Sequence, residues 1–109
     1  MRRGNNPLLY NHNMTGRTII SRIKKNRSQL DELGVKRLAI FGSVARGEAR
    51  RNSDVDILVE FEGTVTFDRF MDTKIYLEDL LRRKVDLVMP SALKPRLKAR
   101  IAKDLLYVA

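Results

Sequence analysis

The chain has 109 residues, no cysteine, and 22 Lys and Arg against 13 Asp and Glu, which gives a formal charge of +9. This length accommodates one domain, and the lack of cysteine excludes disulfides, thiolate metal sites and cysteine nucleophiles. The charge indicates either a polyanionic partner or only a self-repelling surface, while the absence of Trp disfavours nucleic acid as a partner that stacks on aromatic rings.

The first 14 residues are predicted to form a flexible tail, because they are rich in Asn, Gly and Arg and lack hydrophobic periodicity. The only histidine, His12, falls in this tail and is predicted to be solvated rather than a metal ligand. We expect one folded domain over residues 15–109. The basic start lacks an apolar signal segment and the apolar runs are too short to cross a membrane, which favours a cytoplasmic protein without membrane contact.

The stretch from Thr15 to Leu33 has the periodicity of an amphipathic helix, with Thr15 as its N-cap and Gly34 as its C-terminal stop. Its predicted solvated face carries the basic residues Arg22, Lys24, Lys25 and Arg27. A strand is predicted next over Val35–Phe41, since its second half is continuously apolar, as in a buried central strand.

A short helix is predicted to begin at Ser43, and a second strand covers Asp54–Phe61. A long amphipathic helix is predicted from Phe67 to about Arg83. Its expected core positions are Phe67, Phe70, Met71, Ile75, Leu77, Leu80 and Leu81.

The C-terminal part is predicted to contain a strand over Lys84–Met89, a helix from about Lys94 to Asp104, and a last short strand or tail over Leu105–Val108. The strand–helix–strand unit from Asp54 to Met89 predicts a right-handed crossover and a parallel strand pair. The predicted fold class is therefore α/β (α+β), a mixed β-sheet with helices packed on it.

Two aspartates are spaced for one face of the second strand. Asp54 and Asp56 alternate with apolar residues, and their Cα atoms should lie about 6.6–6.8 Å apart. Acidic residues on a strand can simply mark a solvent-facing edge. Asp86, however, lies in the third strand, and if that strand is adjacent, three carboxylates gather at one edge of the sheet. Such oxygen ligands suit Mg²⁺, as one ion or a pair.

A Gly-Ser turn precedes these carboxylates. Gly42 would let the backbone approach a phosphate, and the Ser43 hydroxyl and nearby N–H groups could bind its oxygens. Arg46 is predicted to neutralise a triphosphate, together with Arg50 and Arg51. The turn is not a Walker loop, because the chain has no G-x-x-x-x-G-K-[ST] sequence.

Gly42-Ser43, ten intervening residues and Asp54-Val55-Asp56 together resemble the GS-x10-D-x-D signature of the DNA polymerase β-like nucleotidyltransferase superfamily. Within it, the chain is similar to the minimal nucleotidyltransferases through GSVARGEA, SDVDILVEF, RRKVDLVMP and ALKPRLKARI. The resemblance runs over roughly Val35–Ala109. It implies the polymerase β-like fold, Mg²⁺ ligation by Asp54 and Asp56, a third carboxylate at Asp86, and triphosphate binding at the Gly-Ser turn.

The resemblance also implies an activity and a partner. Minimal relatives transfer AMP from ATP to a tyrosine of a HEPN-domain toxin, and so act as the antitoxin of a type VII pair. The basic pair Arg50-Arg51 departs from many relatives and could alter nucleotide or partner contacts.

Three other functions stay open from the sequence. The chain could be an antitoxin that acts by binding alone, or a homodimeric nucleotidyltransferase of small molecules such as aminoglycosides. A nucleic-acid-binding module rests on charge alone.

Overall fold

A mixed four-stranded sheet organises the residues that the computed structural model describes, 16–48 and 53–109. The elements in chain order are α1 (Gly16–Lys25), α2 (Arg27–Glu32), β1 (Val35–Phe41), α3 (Gly42–Ala45), β2 (Val55–Phe61), α4 (Phe67–Leu81), β3 (Val85–Val88), a 3-10 turn (Pro90–Ala92), α5 (Pro95–Ala102) and β4 (Leu106–Tyr107). None of the helices in this part of the chain has the length and apolar character needed to span a bilayer.

The strand order is β3-β2-β1-β4. Strand β1 pairs antiparallel with both β2 and β4, while β2 pairs parallel with β3. The parallel pair confirms the crossover connection expected from the sequence, because α4 carries the chain from the end of β2 back to the start of β3. The predicted mixed-sheet α/β fold is therefore confirmed.

The two faces of the sheet are covered unequally. On one face, α1, α2 and α4 pack fully buried side chains against alternate residues of β2: Ile19, Ile23, Leu30, Leu77 and Leu81 against Val55, Ile57 and Val59. Asp56 and Leu58 alternate with these strand residues and so belong to the opposite face. There Leu58 shares a hollow with Ile101 of α5, and both residues are buried outside the main cluster.

The first predicted helix is divided into α1 and α2 at Asn26. The Asn26 side-chain amide donates to the carbonyl oxygen of Arg22 at 2.8 Å, and its backbone N–H donates to that of Ile23 at 3.0 Å. An Asn side chain that bonds the neighbouring backbone competes with helical hydrogen bonding, which explains the break. The end at Gly34 is as expected, with a positive φ of 83°.

The predicted solvated face is only partly free of contacts. Lys24 and Lys25 are exposed, but Arg22 and Arg27 are half-buried. Arg22 donates to the carbonyl oxygen of Leu80 at 3.4 Å, while Arg27 pairs with Asp31 at 2.9 Å. The predicted tail, its histidine and the Thr15 cap lie outside the described residues.

Two residues of α4 that were predicted to lie in the core are instead exposed. Phe67 is 75% exposed and Ile75 is 57% exposed, so the prediction was wrong for both. Phe67 is the first helical residue after the Thr66 cap, whose side chain accepts the N–H of Arg69 at 3.1 Å. Ile75 is about 200° around the helix from the buried Leu77. The core position that the sequence did not suggest is Thr73, which is fully buried.

These exposures predict different effects of two truncations on α4. Leu77→Ala should lower the free energy of unfolding by about 2–5 kcal/mol, because it leaves a cavity in the core. Ile75→Ala should change that free energy by about 0.5 kcal/mol or less, as is usual for surface residues. Urea denaturation of both variants measures the difference, and equal losses would contradict the described packing of α4.

Candidate active site

The Gly-Ser turn lies directly against the second aspartate of the D-x-D sequence. Strand β1 ends at Phe41, which pairs with Asp56 of β2, and the chain then enters α3 at Gly42. Gly42 has a φ of 75°, and a Cβ atom built there would overlap Oδ2 of Asp56 and lie 3.1 Å from its Cγ. Only glycine therefore lets the turn approach this carboxylate so closely.

The parallel pairing of β2 and β3 brings the carboxylates of two strands together. Asp56 is the register partner of Asp86, and both alternate with core residues, so they share the open face of the sheet. Asp56 is half-buried, whereas Asp86 is exposed. Asp54 is also exposed and immediately precedes β2. The predicted adjacency of the second and third strands is thus confirmed, while the ligand roles of the three aspartates stay a prediction.

The environment of Asp56 disfavours its negative charge. Burial raises the pKa of its carboxyl, and the charges of Asp86 and Asp54 raise it further. A hydrogen bond with Asp86 acts in the same direction, and the positive charge of Arg46 opposes these effects. A divalent cation would relieve this crowding, because it replaces repulsion between carboxylates with attraction.

The chemistry of these side chains fits Mg²⁺. Among residues 16–48 and 53–109, no three Asp, Glu, His or Cys side chains are already gathered into a metal-ligand cluster. Mg²⁺ does not require one, since it is commonly held by one or two carboxylates, water and substrate phosphates. Asp56 and Asp86 are placed to supply such carboxylates from neighbouring strands, with Asp54 two residues before Asp56.

Arg46 has partners that the sequence did not suggest. Its guanidinium donates to Glu48 at 2.9 Å and to Asp104 at 3.0 Å. Both pairs raise the pKa of Arg46, so the group stays positively charged. Two carboxylates already face this charge, so a triphosphate would have to share Arg46 with them or displace them. Arg50 and Arg51 lie outside the described residues.

A hollow of about 190 Å³, which we call the α5 hollow, opens between the Gly-Ser turn and α5. Its walls include Phe41, Gly42, Arg46, Leu97, Arg100 and Asp104. Leu97, Arg100 and Asp104 had no predicted role at the site. No local sequence pattern reveals the contact between Arg46 and Asp104, which are 58 positions apart. A larger apolar hollow of about 310 Å³ is lined by Ile20, Ile40 and Val44 and lies on the helix-covered face, away from the carboxylates.

Comparison with known proteins places this geometry in a family. The family model described as nucleotidyltransferase domain matches residues 20–108. The protein adenylyltransferase MntA of Thermococcus cleftensis is 41% identical over 96 residues, which are 87% of this chain and 97% of that relative. A Methanocaldococcus jannaschii protein, provisionally named protein adenylyltransferase MJ0128, is 48% identical over 88 residues, which are 79% of this chain and 90% of that relative.

Solved structures show the same fold. One, provisionally described as a minimal nucleotidyltransferase, has a TM-score of 0.76 at 38% identity and covers 87% of this chain and 97% of its own. Another, from a complex of a tri-AMPylated Shewanella oneidensis HEPN toxin with an MNT antitoxin, has a TM-score of 0.61 at 18% identity, with coverages of 87% and 72%. That second likeness shows the fold alone. The chain belongs to the nucleotidyltransferase domain family, and its predicted similarity to the minimal nucleotidyltransferases is confirmed.

Proposed function

We propose that the protein transfers AMP from ATP to a tyrosine hydroxyl of a HEPN-domain toxin, and so acts as the antitoxin of a type VII pair. The observation that carries this proposal is the contact of the Gly42 turn with Asp56, next to Asp86 on the neighbouring strand. A relative of 41% identity that is named a protein adenylyltransferase supports the choice of a protein as acceptor. The fold shared with an MNT antitoxin supports the choice of a HEPN toxin.

In this proposal, the Gly-Ser turn holds the triphosphate. The absence of a side chain at Gly42 makes room for the Asp56 carboxylate beside the turn, and the Ser43 hydroxyl can donate a hydrogen bond to a phosphate oxygen. Arg46 contributes positive charge at the end of α3. Positioning and charge neutralisation are the main contributions that proteins make to phosphoryl transfer.

Asp54, Asp56 and Asp86 would hold Mg²⁺, as one ion or two. Bound Mg²⁺ neutralises phosphate charge and polarises the reacting oxygens. The acceptor oxygen forms a bond to the α-phosphorus of ATP, the bond from that phosphorus to the bridging oxygen breaks, and pyrophosphate leaves. Asp86 is exposed on the open face of the sheet and is our candidate to take the proton of the attacking hydroxyl.

The reaction itself tests the function. The protein should transfer label from α-labelled ATP to the HEPN-domain protein encoded beside its gene, in a Mg²⁺-dependent manner. Asp54→Ala/Asp56→Ala should lower the rate by at least about a hundred-fold, because it removes the proposed cation ligands. Label on the partner is measured by autoradiography and mass spectrometry.

A matched control is Asp72→Ala/Asp79→Ala, which removes two exposed carboxylates from α4 and should label at the wild-type rate. Absence of label with the wild type, or equal labelling by wild type and Asp54→Ala/Asp56→Ala, would overturn the proposed reaction. Full toxin neutralisation by that double variant would instead identify an antitoxin that acts by binding alone.

A second experiment tests Mg²⁺ binding without turnover. Because the pKa of Asp56 is raised, its ionisation disfavours the folded state at neutral pH, so Asp56→Asn should have a higher melting temperature than the wild type without Mg²⁺. This advantage should disappear as the pH falls below the ordinary Asp pKa. Added Mg²⁺ with a non-hydrolysable ATP analogue at 100 times its dissociation constant should stabilise the wild type by about 2.7 kcal/mol.

The same ligands should stabilise Asp56→Asn much less, since one proposed Mg²⁺ ligand is missing. Asp72→Asn removes one exposed charge from α4 and should respond like the wild type. Differential scanning calorimetry gives these values. A ligand-induced shift in Asp56→Asn as large as in the wild type would contradict a role for Asp56 in binding the cation.

A further inference from the structure

The open face of the sheet determines from which side an acceptor can reach the carboxylates. Helices α1, α2 and α4 contribute to the core on the opposite face. Asp56 belongs to the open face, where α5 packs through Ile101, the buried residue of that helix. Within the part of the chain that the structure describes, α5 is the helix that an acceptor would meet beside the site.

Helix α5 and its C-cap present three basic residues on one side. Arg96, Arg100 and Lys103 have the i, i+4, i+7 spacing that aligns side chains along a helix. All three are exposed, and none of the ion pairs among the described residues includes them. We call these three residues, with Leu97 beside them, the basic ridge. Among the described residues, none of these three positive charges is therefore held in a salt bridge.

Leu97 gives the basic ridge an apolar centre. Its side chain is 44% exposed, and it lines the α5 hollow together with Arg100 and Gly42 of the Gly-Ser turn. An exposed apolar residue beside arginines fits a protein interface, in which an apolar centre has a polar rim and Arg is enriched. Helix α5 has no aromatic residue on which a nucleobase could stack, so the ridge fits a protein better than a single-stranded nucleic acid.

The basic ridge is also fixed relative to the proposed site. Asp104, directly after the ridge, accepts a hydrogen bond from Arg46 at 3.0 Å, and Arg46 caps the helix that begins with Gly42. This ion pair joins the segment after α5 to the element that would hold the triphosphate. A protein bound to the ridge would therefore lie beside the α5 hollow, which Leu97 and Arg100 line.

We propose that the basic ridge docks an acidic surface of the protein acceptor, close to the hydroxyl that receives AMP. This inference rests on the proposed function, because it takes the acceptor to be a protein. Charge complementarity would raise the association rate and select among acceptors, while Leu97 would contact an apolar residue within the acidic surface.

The experiment compares the wild type, a ridge variant with Arg96→Ala, Arg100→Ala and Lys103→Ala, and a control variant with Arg17→Ala, Lys24→Ala and Lys25→Ala. The control removes the same charge from exposed positions of α1 on the helix-covered face. Label transfer from ATP to the neighbouring HEPN-domain protein is measured at varied acceptor and ATP concentrations. Equilibrium binding of the two proteins is measured separately, without nucleotide.

The ridge variant should raise the KM for the acceptor and the dissociation constant of the complex by about tenfold or more, with the KM for ATP within about twofold of wild type. The control variant should match the wild type in all three values. Raising NaCl from about 50 mM to about 300 mM should weaken acceptor binding by the wild type, and much less by the ridge variant, because salt screens the docking charges.

Each other outcome contradicts the inference in a different way. An unchanged dissociation constant and KM for the acceptor would show that the basic ridge does not dock it. If the ridge variant raises only the KM for ATP, the ridge binds the nucleotide. Binding of poly(U) is measured for the same variants, and its loss in the ridge variant with normal acceptor kinetics would assign the ridge to nucleic acid. A wild type that binds the partner without labelling it would refute the proposed reaction while the binding measurement still decides the inference; one that neither binds nor labels would refute both.

Discussion

The pairing of β2 with both of its neighbours is the constraint on which the candidate site depends. Its antiparallel partner β1 ends opposite Asp56, so the turn that follows must pass over that carboxylate. Its parallel partner β3 places Asp86 at the same level. A shift of β2 or β3 by one residue would point an aspartate into the core and an apolar residue at the site, because strand side chains alternate. The core residues of β2 therefore fix the geometry of the site.

The sequence was most informative where a single rule for strands, turns or crossover connections decided the local structure. Strand β1 was predicted with its observed ends, since an apolar run followed by Gly-Ser leaves few alternatives. The pairing of the strands that carry Asp56 and Asp86 followed from the rule for crossover connections, while the register that sets these two residues side by side is a finding of the structure. The short helix after β1 was also expected, and it begins one residue earlier, at Gly42.

The sequence was less informative where side chains or distant residues decide the outcome. The break at Asn26 depends on a side-chain bond to the backbone, which a hydrophobic pattern does not reveal. Ile75 is apolar but lies on the outer side of α4, while the small polar Thr73 fits the core by donating to a carbonyl of its own helix. The partner of Arg46 at the far end of the chain could not be read from any local pattern.

Because helices cover the two faces of the sheet unequally, the two faces should tolerate amino-acid substitutions differently during evolution. The residues that specify the fold lie beneath α1, α2 and α4. In the part of the chain that the structure describes, α5 buries Ile101, and the ion pair of Asp104 with Arg46 follows two residues after the end of that helix. Substitutions at exposed positions of α5 should therefore cost little stability. If α5 docks the acceptor as proposed, its sequence can diverge to fit different acceptors while the strands that carry the proposed Mg²⁺ ligands stay the same.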